Sequence, residues 1–213
     1  MGAVGALERA RRINFETPPV PAGFRPYGAE AGRTQMRERR LFVIAPPRFS
    51  AEDAVWLAGV RERHDPLSQI VPPHVTFVFD AAASIETRLV AHVAEVAATL
   101  TVVRFALRRA AVHSDALTGR VFAYLLPEEG KDALVGIHDR LHEGVLASAQ
   151  RRDAPYLPHV TVGAFDATSP AESLVDRINR GSISVIGTVE SLRTVAFDGK
   201  AVQTIAETSI GAT

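Results

Sequence analysis

The chain has 213 residues, no cysteine, and 24 basic side chains balanced by 24 acidic ones. The lack of cysteine excludes disulfides, iron–sulfur clusters, thiolate zinc sites and cysteine nucleophiles. A net charge of zero argues against broad electrostatic affinity for long nucleic acid, and no apolar run is long enough for a transmembrane helix.

Residues 1–37 read as an extension, heavily punctuated by Pro18, Pro19, Pro21, Gly23, Pro26 and Gly28. Its apolar start is broken by Glu8 and Arg9, unlike a signal peptide, so a reducing, cytoplasmic setting is the expectation. Arg33, Arg37, Arg39 and Arg40 make the approach to the first strand basic. Residues 38–213 are expected to form the folded, two-lobed domain.

Leu41 to Ala45 reads as a buried strand stopped by Pro46 and Pro47. Ser50 is positioned to cap a helix running to about Glu62. "PHVTFVF" is the next strand, with Phe42 and Phe79 assigned to the core. Ser84 is placed as the cap of a helix through Leu100 that sets Leu89, Val93, Val96 and Leu100 on one side. "TVVRFALRRAAV" and "RVFAYLLP" read as strands, and Tyr124 in the second as core. A helix from about Lys131 to Val145 carries Leu134, Ile137, Leu141 and Val145 at helical spacing. "PHVTVGAF" is a strand, followed by a helix from Ser169 to Arg180 ending near Gly181. "SISVIGTVESLRTVAF" and "AVQTIAETSI" alternate, with a hairpin turn at Asp198-Gly199. Each half thus runs strand, helix, His-Thr strand, helix, strand. Such a long-period duplication predicts a pseudo-symmetric α+β fold, with two antiparallel sheets facing a central groove and helices outside.

The repeated Pro-His-Val-Thr carries the chemistry. Residues two apart in a strand share a face, so His74 sits with Thr76 and His159 with Thr161. Val75, Phe77, Phe79, Val160 and Val162 are expected to take the opposite faces and anchor the strands. Two imidazoles in one volume can divide acid and base work, because each titrates near neutrality. The threonine hydroxyls can bond phosphate oxygens. Gly163, two past Thr161, is expected on the same face, leaving room for a phosphate or sugar. The bland alternative is two core histidines that donate to backbone carbonyls, with threonines present for strand propensity.

The two segments, "PHVTFVF" and "YLPHVTVG", resemble the motifs of the two-histidine phosphoesterase superfamily, also called 2'-5' RNA ligase-like or cyclic phosphodiesterases. The resemblance covers roughly residues 38–210. It implies a bilobal α+β fold and metal-independent hydrolysis of a cyclic phosphodiester, commonly an RNA or nucleotide 2',3'-cyclic phosphate. Some relatives also join RNA through a 2'-5' linkage. It further implies that His74 and His159 are catalytic, the first as general acid and the second as general base. Thr76 and Thr161 would hold the phosphate. No cofactor and no metal are expected, and the implied partner is an RNA terminus or a small nucleotide cyclic phosphate.

The chain departs from one family feature. Some relatives place an arginine shortly after the second motif, where this chain has Val162, Gly163, Ala164 and Phe165. Arg40, Arg120 and Arg152 are the candidate substitutes. Tyr156 is open between stacking on a base and ordinary packing.

Other constellations carry less. "HDRLH" spaces His138 and His142 like a metal pair, but Asp139 replaces the glutamate of the protease pattern and no third ligand is evident. A solvated helix edge is the reading there. There is no Walker loop, dinucleotide fingerprint or G-x-S-x-G elbow. The competing function is a noncatalytic RNA- or nucleotide-binding module in the same groove, which predicts a histidine locked by a carboxylate. A structural protein would bury the two His-Thr faces apart.

Overall fold

The computed structural model describes residues 39–115, 119–147 and 155–211. The extension and Arg152 lie outside them.

The chain runs β1 (Arg40–Ala45), β2 (Arg48–Phe49), α1 (Ala51–His64), β3 (Val75–Ala82), α2 (Glu86–Ala98), β4 (Val103–Ser114) and β5 (Val121–Glu129). It continues through α3 (Lys131–Leu141), β6 (Val160–Phe165), α4 (Thr168–Arg180), β7 (Val185–Val189), β8 (Ser191–Phe197) and β9 (Val202–Ser209). Two sheets form, ordered β3-β1-β8-β9 and β2-β7-β4-β5-β6. Every pairing is antiparallel. Both His-Thr strands, β3 and β6, stand at sheet edges.

Alternation along the strands supplies one apolar face per sheet for the helices. Leu41, Val43, Val75 and Phe77 share a core with Leu89, Val93, Leu134 and Ile137. Phe105, Leu107, Leu125 and Val160 share it with Leu57, Leu174 and Ile178. The helices exchange partners between halves: α1 packs on β6 and α3 on β3, while α2 covers β8 and β9 and α4 covers β4 and β5. The lobes are therefore not separable stretches of chain.

Several boundaries follow local chemistry. Ser50 accepts from the Asp53 N–H at 3.1 Å, as a capping serine should. Ser84 does not cap. It lies in a single 3-10 turn, and no side chain caps α2. The third helix stops at Leu141, because the chain turns at Gly144 with φ 58° and buries Leu146 rather than Val145. Gly130 enters α3 at φ 75°, and a Cβ there would stand 2.5 Å from the Arg104 carbonyl oxygen.

The alternating run "SISVIGTVESLRTVAF" is two strands, not one. It switches sheets at Glu190, where both Glu190 and Ser191 are half-buried and the alternation breaks. β3 departs further. Its register against β1 shifts twice, and Asp80 takes φ 56°. These bulges rotate Phe79 out of the core, leaving it 51% exposed. Phe42 is likewise only half-buried, on the face of β1 opposite Leu41 and Val43. The core assignment of both phenylalanines is corrected: they face the groove.

Candidate active site

Each histidine is seated by the residues just before it. In His74 the Nδ1–H donates to the Pro72 carbonyl at 2.8 Å, and in His159 to the Leu157 carbonyl at 2.8 Å. The acceptor is two residues back in both cases, so the repeated X-Pro-His turn builds the same bond twice. Because Nδ1 holds the proton in a neutral ring, Nε2 keeps its lone pair. Among the described residues neither ring bonds a carboxylate.

The edge strands bring these residues to one cavity of ≈ 220 Å³. His74, Thr76, His159 and Thr161 all line it, with Phe42, Ile44, Arg61, Asp65, Phe79, Phe122, Tyr124, Val195, Phe197 and Val202. The two His-Thr faces are thus not buried apart.

Both histidines are half-buried where they line the cavity. Burial foremost, with the charges of His74 and His113 adding to it and the Leu157 bond opposing it, pushes the His159 pKa down to about 4. Burial also lowers the His74 pKa. There the Pro72 bond opposes the shift, Arg61 adds to it, and the Asp65 carboxylate favours the charged ring. Two adjacent imidazolium ions are disfavoured, so the pair carries at most one proton comfortably.

Packing fixes the rings. His159 stacks on Tyr124 with centroids 3.7 Å apart and planes at 18°. Tyr124 stacks in turn on His113, at 5.1 Å and 20°. The three rings form a column across β6, β5 and β4. Tyr124 is therefore a groove residue and not core. Its signal is present in the sequence, since it alternates with the buried Ala123 and Leu125. Arg61 carries no such signal. It is 3% exposed, pairs with Asp65 at 2.8 Å and donates to the Val71 carbonyl at 2.8 Å. Asp65 also accepts from the Leu67 N–H at 2.9 Å. Together they shape the loop that delivers His74.

The candidate substrate contacts fare differently. Gly163 is corrected: a Cβ there would meet the Phe165 ring at 2.8 Å and Leu174 at 3.1 Å, so it faces α4. A register shift between Ala123 and Tyr124 turns the strand, and Ala164 lines the cavity instead. Arg40 pairs with Asp80 at 2.8 Å, and Arg120 is buried 3.9 Å from Asp166; neither lines the cavity. Tyr156 does not line it either. Its hydroxyl donates to the Thr76 carbonyl at 2.8 Å, and burial raises its pKa. Tyr156 thereby ties the approach to β6 onto β3.

His138 and His142 are not a solvated helix edge. His142 is buried, its Nδ1 bonds the His138 carbonyl at 2.8 Å, and His138 stacks on Tyr156 at 4.0 Å. Among the described residues no group of three or more histidines and carboxylates is arranged to hold a metal ion. Among them, too, no helix is long and apolar enough to cross a membrane.

A groove between two antiparallel sheets, with a His-Thr pair on the edge strand of each, defines a two-histidine phosphoesterase architecture. The family model of the 2'-5' RNA ligase superfamily matches residues 46–201, and the chain belongs to that superfamily. The fold is shared with the TT0787 protein of Thermus thermophilus, at TM-score 0.56 and 17% identity over 81% of this chain and 98% of that one. It is also shared with apo LigT of E. coli, at TM-score 0.51 and 17% identity over 83% and 99% of the two chains. No protein of curated function matches the chain by sequence.

Proposed function

We propose that this protein hydrolyses a cyclic phosphodiester, an RNA or nucleotide 2',3'-cyclic phosphate, by two-histidine acid–base catalysis without a metal. The supporting observation is the matched seating of His74 and His159, which leaves two Nε2 atoms for one cavity.

In the proposed reaction His159, kept neutral by burial, takes a proton from water. The water oxygen attacks phosphorus as the bond to one ribose oxygen breaks. His74, which has the Asp65 carboxylate in electrostatic reach, gives its proton to that oxygen. The product is a phosphate monoester, and solvent exchange resets the two rings. Thr76 and Thr161 bond the nonbridging oxygens. Joining RNA ends through a 2'-5' linkage is the same chemistry with a ribose hydroxyl replacing water. Each proton transfer is worth roughly 10²–10⁴ in rate.

Phosphorus NMR of the protein with a 2',3'-cyclic nucleotide in EDTA tests this reading. Ring opening is expected, with at least about 100-fold loss in His74→Ala and in His159→Ala. Binding without turnover, on nucleotides and on cyclic-phosphate-ended oligonucleotides alike, would leave a noncatalytic binding module.

A further inference from the structure

The cavity is lopsided. On one sheet its lining stops at β5 and β6, with Phe122, Tyr124, Thr161 and Ala164. On the other it continues from Thr76 on β3 across β1, β8 and β9, through Phe42, Ile44, Val195, Phe197 and Val202. Three interstrand spacings make this lane about 14 Å wide. Phe42 pairs with Val195 and Phe197 with Val202, so the lane is a continuous floor. Ile44, Val71 and Val195 form a small apolar cluster there, joined by Phe42, Leu67 and Val202 and separate from the main core. Phe79 stands at its side, 51% exposed.

Charge along this lane is equally specific. Among the described residues lining the cavity, Arg61 is the one arginine or lysine, and its guanidinium is already held by Asp65. The His-Thr end can neutralise one phosphate. The two arginines that flank the lane, Arg40 opposite Phe197 and Arg193 opposite Ile44, are each paired with an acid, Asp80 and Glu207, while the lane offers an apolar group the rings of Phe42, Phe79 and Phe197.

We infer that the substrate is a small phosphodiester with a single phosphate and an apolar arm, aromatic or aliphatic, lying along β1, β8 and β9. This rests on the proposed activity for its turnover and not for its binding. A polynucleotide would have to lay successive phosphates over Phe42, Val195 and Phe197 at a desolvation cost, and would have to draw the flanking Arg40 and Arg193 away from Asp80 and Glu207 to offset it.

The test compares kcat/KM for three 2',3'-cyclic adenosine phosphates: unmodified, 5'-phosphorylated, and 5'-O-benzyl. Burying one aromatic ring should favour the benzyl ether over the 5'-phosphate by about tenfold or more. Val202→Lys, at the half-exposed far end of the lane, should narrow or invert that order. The 5'-phosphate as the best substrate of the parent protein overturns the inference. Failure of all three to turn over, and of cyclic-phosphate-ended oligonucleotides with them, defeats the proposed activity instead. The lane is then judged on binding, by calorimetry with phenyl phosphate and inorganic phosphate. Tighter binding of phenyl phosphate supports it, and equal affinities overturn it.

Discussion

At the scale of single residues, the site depends on how backbone carbonyls orient imidazoles. Pro72 and Leu157 fix the tautomer of both rings, and burial fixes their charge state. Both pKa values lie below the ordinary 6.5, His159 at about 4. In the proposed reaction the base must be neutral and the acid protonated, so kcat/KM of the free enzyme should rise through about pH 4 and fall before 6.5. An optimum above about pH 7.5 would contradict the assignment of His74 as acid. The same shift affects stability. Between pH 6.5 and 4 the unfolded chain protonates the His159 ring and the folded chain does not. Stability supported by a neutral His159 is therefore present above 6.5 and declines as pH falls toward 4. Urea midpoints at about pH 7 and pH 5 should converge in His159→Gln relative to the parent. Tyr156→Phe removes the bond to the Thr76 carbonyl, with an expected cost of about 1 kcal/mol. If Tyr156 also positions Thr76, KM for the cyclic nucleotide rises more than kcat falls.

At the scale of elements, α1 does more than cover a sheet. Its last turn carries Arg61, and its C-cap is Asp65. Removing one buried partner strands the other charge, so Arg61→Leu should cost about 3–5 kcal/mol. Arg61→Leu combined with Asp65→Leu should recover part of that loss in a double-mutant cycle. No coupling in the cycle would mean that each side chain acts through its loop contacts alone, Val71 for one and Leu67 for the other. Legibility in the sequence also divides by element. Ser50 and the end of α4 at Gly181 are readable because capping is local. The bulges in β3 and β6 are not, since a register shift depends on the neighbouring strand. Those shifts are why Phe79 reaches the groove and Gly163 does not.

At the scale of the whole molecule, the two lobes share their parts. β8 and β9 complete the sheet begun by β1 and β3, and β2 joins the sheet of the other half. The fold should therefore unfold as one cooperative unit. Trp56, the single tryptophan, packs against the main core from α1, so its fluorescence reports that unit. Its urea transition should coincide with far-UV circular dichroism, and two separated transitions would show lobes that fold alone.

Periodicity and turn chemistry are local, so the duplication, the order of strands and helices apart from β2 and the split between β7 and β8, and the two His-Thr faces could be read from the chain alone. The family could be read with them, because it rests on those two motifs. What surrounds the histidines could not. Arg61, Tyr124, His113 and the phenylalanine lane come from strands and helices far apart in the chain. They meet because sheet order and strand register bring them together, and neither is encoded in any one stretch.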